Sequence, residues 1–365
     1  MRHHGDHNSL LAKVDGSPAE VDALIVPTNR TWPYLRSVME LARDLECHLL
    51  VLCSGRADTG KTVELAEQHG VDVVAIDVGQ VSAGLLPQFR TTQLLAKTRF
   101  DRKTDTSFKR NLGLLFATSA GWSRVVFLDD DIKVPDPRDL AKAAGLVGSY
   151  AGVGLRIGGY PDNSVVCHAY REVGGFQTTF IGGGALAVGT RSMASFFPDV
   201  YNEDWFFLLD DRGLRLTAVT GYAEQKPYDP FANDNRARVE EFGDCLAEGV
   251  FALLDDGKSI DAADEAYWKA FLAGREEMIT GIIKAAEQSP AGTPLMVSAL
   301  KAARGRCQTI PPALCVEYLA ALRHDRKVWR KFVERHPARN AGSPEKALAS
   351  LGLTHAARVR QPLPV

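Results

Sequence analysis

The sequence predicts a doubly wound α/β fold on three observations. Short apolar runs alternate with helix-period segments from Val21 to Asp131, turn residues punctuate their boundaries, and the run Val125-Val126-Phe127-Leu128 ends in three consecutive acids. Ala23-Leu24-Ile25-Val26 is a short apolar strand closed by Pro27. Thr31 can cap a helix in which Leu35, Val38, Met39, Ala42 and Leu45 recur at helical spacing. His48 to Cys53 reads as the next strand, Thr62 to Gln68 as the next helix, and Val71 to Ile76 as the third strand. Ser107 opens a helix with Phe108, Leu112, Leu115 and Phe116 on one face, and that helix leads into the strand carrying the acids. The progression is βαβαβ, a Rossmann-like half.

Beyond Asp131 the glycines multiply, and Val153 to Ile157, Val165 to Ala169 and Gly183 to Val188 read as short strands of a mixed sheet. Asn202 to Leu209 reads as a helix, and Tyr222 to Asn235 as a long loop placed to close over a site. From Ser259 to Pro337 the pattern is largely helical. The division expected is a flexible tail (1–21), an α/β domain (22–257, split at 135 into two halves), and a helical C-terminal region (258–365) through which a homo-oligomer could form.

Bulk composition narrows the partners. The 365 residues carry 43 Lys plus Arg against 45 Asp plus Glu, a net charge of −2, which gives no electrostatic case for nucleic acid or an anionic membrane. No stretch approaches the ~18 apolar residues of a membrane span. The six cysteines form no C-x-x-C pair, so a reducing, cytoplasmic setting is expected. His3, His4 and His7 could bind a metal, but their polar surroundings read as an exposed tail.

Asp129-Asp130-Asp131 is the feature folding does not require. Ligands of open α/β sheets gather at the carboxyl ends of strands, and three acids delivered there repel one another unless a cation or an open turn relieves them. Mg2+ or Mn2+ suits such a place, because it takes one or two protein carboxylates and completes its shell with phosphate and water. The other reading is a solvated turn or a helix cap before Pro135-Asp136-Pro137. Alternation along the chain sets Asp129 and Asp131 on one side and turns Asp130 away.

Gly55-Arg56-Ala57-Asp58-Thr59-Gly60-Lys61-Thr62 satisfies G-x-x-x-x-G-K-[ST] between a strand and a helix, so a P-loop nucleoside triphosphatase or kinase is a rival. Against it, Asp58 places a carboxylate where backbone N–H groups should surround phosphate, and the motif follows the second strand rather than the first. A plain strand-to-helix turn is the preferred reading of it.

Tyr201-Asn202-Glu203-Asp204-Trp205-Phe206-Phe207 holds a second acid pair, its Asp204 73 positions beyond Asp131. Asn202 is a good N-cap residue, and acids in a first turn are favoured by the helix dipole. One acid can serve the helix start while the other faces a cleft, where an aromatic wall of Trp205 and Phe206 would desolvate it into a general base.

Pro27-Thr28-Asn29-Arg30, Lys109-Arg110-Asn111-Leu112-Gly113, Asp129 to Asp131 and Asn202-Glu203-Asp204-Trp205, in this order, resemble nucleotide-sugar glycosyltransferases of the A-type (GT-A) fold, family-2-like, inverting and non-processive. The resemblance spans Ala23 to Gly257 and leaves the last hundred residues unexplained. It implies a GT-A fold with 22–135 as its Rossmann-like nucleotide-binding half and 136–257 as its mixed-sheet acceptor or catalytic half, transfer of a sugar from a UDP- or GDP-sugar to a hydroxyl of a small-molecule or glycan acceptor, and dependence on Mg2+ or Mn2+. It implies that Pro27, Thr28 and Arg30 line the nucleoside pocket with Ser54 or Asp58 near the base, and that Arg110 sits near the ribose or diphosphate. Asp129 and Asp131 match the outer acids of the DxD motif, one approaching ribose and the other the metal, with Asp130 between them at the nucleotide. Asp204 matches the base that deprotonates the acceptor. Gly183 and Gly184 let backbone approach a ligand closely, and Glu203, Trp205 and His168 are further candidate donor or acceptor contacts. Two departures stand out: the processive Q-x-x-R-W motif is missing, and no histidine follows Asp204 until His324, which leaves His168 as a substitute third metal ligand. A non-catalytic nucleotide-sugar-binding protein, with its helical region mediating assembly, is the alternative from another class.

Overall fold

The computed structural model describes residues 5–160, 163–337 and 341–360; His3 and His4 lie outside them. In chain order the strands are β1 (Ala12–Lys13), β2 (Ala23–Thr28), β3 (His48–Cys53), β4 (Val73–Asp77), β5 (Arg124–Leu128), β6 (Ile132–Lys133), β7 (Gly152–Gly159), β8 (Ala185–Gly189), β9 (Thr217–Gln225) and β10 (Ala357–Val359). The α-helices are α1 (Arg36–Asp44), α2 (Thr59–His69), α3 (Arg90–Leu95), α4 (Thr106–Ala120), α5 (Pro137–Leu146), α6 (Val165–Glu172), α7 (Glu203–Leu208), α8 (Asp234–Asp255), α9 (Glu265–Gln288), α10 (Pro294–Cys307), α11 (Pro312–Arg335) and α12 (Pro344–Ser350).

All ten strands join one mixed sheet, ordered β1-β9-β7-β8-β5-β2-β3-β4-β10, with β6 pairing β9 off this path. Strands β5, β2, β3 and β4 run parallel, in the register Ala23 opposite His48 and Val125. They are apolar throughout because both faces are covered. Leu24 and Val26 point into a layer with α1, α2 and α5, while Ala23 and Ile25 point into a larger layer that contains α4, α6 and α8 to α11. Gly113 lets α4 approach the sheet, since a Cβ there would come within 2.8 Å of Ile25 and 3.3 Å of Phe127. Antiparallel β8 beside β5 ends this parallel run, and Leu128, the residue before the acids, pairs with Ala185.

Several expectations are corrected. Val165 to Ala169 is not a strand but the start of α6, capped by Ser164 Oγ, which accepts from Cys167 N at 3.3 Å. A short apolar run reads the same in either state, and the serine cap decides it. The loop expected at 222–235 begins later: Tyr222 to Gln225 complete β9, and Asn233 caps α8. The N-terminal segment is not a loose tail within the described residues, because β1 pairs with β9 and His7 is buried.

The apolar core continues across residue 257, from β5 through α8 into α9, α10 and α11. Trp329 Nε1 donates to Met193 O at 3.0 Å, and Asp325 accepts from the backbone N–H groups of Arg90 and Thr91 at the start of α3. At the far edge β10 pairs antiparallel with β4. The C-terminal helices therefore cover one face of the same sheet. No described helix is long and apolar enough to cross a membrane.

Candidate active site

Strand β5 delivers the three acids to its carboxyl end, and their surroundings tell them apart. Asp130 is 5 % exposed; it accepts from Thr28 Oγ1 and from Arg30 Nη1, both at 2.5 Å. Burial pushes its pKa up, partly offset by Thr28 and Arg30. Asp131 accepts from Arg30 Nη2 at 2.9 Å, and Asp129 from Arg110 Nη2 at 3.1 and 3.2 Å. Asp129 and Asp131 both face a cleft of about 580 Å3, whereas Asp130 is not among its walls.

Arg110, on α4 and 4 % exposed, ties the two acid pairs together. Besides Asp129 it donates from Nη1 to Glu203 Oε1 at 3.1 Å, and its charge lies close enough to bear on Asp204. Three carboxylates hold its pKa above the ordinary arginine value despite burial. A side chain at position 183 would collide with this guanidinium, which explains the glycine there. Glu203 is gripped from a second side by Arg102, 2.8 Å away, and although burial opposes it, the two arginines hold Glu203 below the usual glutamate range.

Asp204 has a different fate one residue later. Helix α7 starts after Asn202, whose left-handed backbone (φ 62°) makes the turn while its side chain reaches Asp244 rather than capping the helix. Asp204 Oδ2 accepts from Gly183 N at 2.5 Å and Oδ1 from Trp205 N at 3.0 Å. Burial first, and the neighbouring Glu203 charge second, raise Asp204 to about 6, against Arg110 and the two backbone N–H groups. Adjacent acids on one helix turn are thus driven apart, one held ionised and one poised to exchange a proton.

The cleft lies at the carboxyl end of β5, walled by Arg30, Arg110, Asp129, Asp131, Gly183, Gly184, Glu203 and Asp204. Its remaining walls include Arg102, Tyr201, Tyr228, Arg236 and Glu240. A second, smaller chamber of about 50 Å3 has Asp204 in its wall together with Trp205, Phe180, Ser164 and Glu248.

Other candidates fall outside the cleft walls. Thr28 is committed to Asp130, and Ser54 Oγ accepts from Lys109 Nζ at 2.7 Å, which also donates to Thr28 O and so pins the ends of β2 and β3. Pro27 sits within β2 opposite Leu52. Asp58 caps α2 by accepting from Lys61 N at 2.8 Å. That carboxylate occupies the helix N-terminus a phosphate would need, which counts against the P-loop reading. His168 lies on α6, its Nε2 2.9 Å from Tyr228 Oη and its ring stacked on Tyr160, behind the cleft wall that Tyr228 forms and not itself part of the lining. Burial, then Arg171 and Arg236, lower it to about 3.

Arg102, Arg236 and Tyr228 escaped the sequence reading. Arg236 donates to Glu240 at 2.6 Å and lies 4.4 Å over the Tyr228 ring. A surplus of acids at the site was the available signal, since buried carboxylates must find cations somewhere in the chain.

Asp129 and Asp131 fit a divalent cation by chemistry: two carboxylates open to one cleft, with Asp130 withdrawn into the fold, match the small protein share of a Mg2+ or Mn2+ shell. They are the residues that could hold one.

The chain is similar to a solved mannosyltransferase. That protein, PcManGT from Pyrobaculum calidifontis, was solved in complex with GDP-Man and Mn2+; identity is 18 %, covering 94 % of this chain and 92 % of that one, with a TM-score of 0.43. No family model and no curated protein matches the chain. Similarity at this level leaves the assignment to the geometry of the cleft itself.

Proposed function

We propose that this chain is a metal-dependent glycosyltransferase of the A-type fold that moves a sugar from a nucleoside-diphosphate sugar to a hydroxyl acceptor with inversion. One observation carries the reading. A single cleft is lined by Asp204, raised to about 6, by Arg30, Arg102, Arg110 and Arg236, and by Asp129 and Asp131 at the end of β5. Ionised Asp204 takes the proton of the acceptor hydroxyl as its oxygen bonds to the sugar C1, and the C1–O bond to the diphosphate breaks with its electron pair leaving on the diphosphate. Arg110 and Arg30 face the negative charge that develops there. A divalent cation held by Asp129 and Asp131 would supply further charge neutralisation to the diphosphate. Tyr228, from the segment between β9 and α8, and Arg236, on the first turn of α8, close the cleft, which limits water and favours transfer over hydrolysis.

A thermal-shift screen of UDP- and GDP-sugars with and without Mn2+ tests this. The true donor raises Tm, by about 2.7 kcal/mol of stabilisation at a hundredfold excess over Kd. The shift depends on metal and survives Lys61→Ala, because Lys61 belongs to a capped helix turn. Loss of nucleotide binding in Lys61→Ala, or triphosphate hydrolysis that depends on Lys61, would return the P-loop reading to first place.

A further inference from the structure

The histidine of the N-terminal segment is built into the wall behind the candidate base. His7 is 2 % exposed, with a left-handed backbone (φ 57°) that turns its ring inward. Its Nδ1 lies 2.5 Å from Asp255 Oδ2 and its Nε2 3.3 Å from Glu248 Oε2, both carboxylates on α8. The ring stands edge-on to Trp205 at 5.7 Å and to Phe180 at 6.3 Å, and 5.6 Å from Phe251. Ser9 Oγ donates to Asp255, and Asp6 accepts from Thr178 Oγ1, so the segment straps α8 to the loop before β8. Trp205, Phe180 and Glu248 line the small chamber that also contains Asp204.

We infer that His7 is a positioning residue for sugar transfer: its imidazolium, clasped between Glu248 and Asp255, holds Trp205, whose backbone N–H in turn orients the Asp204 carboxylate. The inference rests on the glycosyl-transfer reading and adds a residue nearly two hundred positions from the base. Both ring nitrogens face carboxylates, so the doubly protonated ring is the form that satisfies both. The titratable and charged groups around it are Glu248 and Asp255 on α8, Asp6 on its own segment, and beyond Glu248 the Asp244–Arg275 pair, the neutral thiol of Cys167 on α6, and Asp204 on α7. Burial opposes the charge, but Glu248 and Asp255 outweigh it and raise His7 above 6.5. The sign follows: the clasp is complete below the unfolded value of 6.5 and is lost as pH rises through the higher folded one. Transfer should therefore fall on the alkaline side through His7, and on the acid side through Asp204.

His7→Gln and His7→Gly decide the matter beside the wild type, with transfer rates, donor thermal shifts and Tm measured across pH. The expected result is a kcat lowered by about ten- to a hundredfold, the scale of a small misplacement near the chemistry, with donor binding unchanged. His7→Gln loses the alkaline limb, and added imidazole restores transfer to His7→Gly, which a merely structural loss would not allow. A His7→Gln enzyme with wild-type kcat and an unmoved alkaline limb overturns the inference while the transfer reading stands. A wild type that transfers no sugar from any donor removes both.

Discussion

Asp204→Asn yields a folded protein that still binds its donor and transfers sugar about a hundred- to ten-thousandfold more slowly, the span associated with losing a general base. An amide cannot accept the acceptor's proton, yet it keeps the volume of the carboxylate and one acceptor for Gly183 N or Trp205 N. Losing the other bond costs about 1 kcal/mol, whereas the neutral side chain relieves a buried charge that costs a few kcal/mol near neutral pH. Tm at pH 7.5 is therefore expected to hold or rise, which separates lost chemistry from lost fold. For the wild type, the ionised fraction grows as pH rises through about 6, so kcat carries an acid limb there that the variant lacks. Stability moves the opposite way: the contribution of this raised carboxyl is full below its ordinary value of 3.8 and is lost as pH rises through about 6. Steady-state kinetics and thermal melts from pH 4.5 to 8 check both, and normal turnover by Asp204→Asn would falsify its role as base.

Asp131→Ala is expected to weaken Mn2+-dependent donor binding by about ten- to a hundredfold, the 1.5–3 kcal/mol of one charge-assisted contact, at little cost to Tm. Asp131 faces the cleft, and Arg30 keeps Asp130 when it is removed. Asp130→Ala separates the two roles. It strips a buried partner from Thr28 and Arg30, so it lowers Tm by more than Asp131→Ala does. Titration calorimetry with UDP and GDP, with and without Mn2+, reads the first effect and thermal melts the second. If the two variants lose metal-dependent binding and stability in equal proportion, the three acids form a structural turn and not a cation seat.

The parallel strands were legible because each had to be apolar on both faces. Ala23 to Val26, His48 to Cys53 and Val125 to Leu128 therefore stand out as runs between turns. The acid cluster was legible for the opposite reason, as three consecutive carboxylates that repel one another at a strand end. Val165 to Ala169 was misread because five buried residues in a row are compatible with either period, and only the Ser164 cap separates them. The capping role of the Asn202 side chain was also misread, since its left-handed backbone sends the amide to Asp244 instead.

By itself the sequence determined that an α/β sheet would present Asp129 to Asp131 at a strand end, and that a second acid pair would follow at a helix start. Only the tertiary structure decided how each acid is surrounded. Glu203 is held ionised by Arg102, 101 positions away, and by Arg110, 93 away; Asp130 is withdrawn by Thr28, 102 away; and Glu248, behind the candidate base, is met by His7, 241 away. Strand formation depends on neighbours along the chain and leaves a local pattern. A carboxylate's pKa depends on charge and burial a few ångströms away in space, and those neighbours have no fixed distance in sequence.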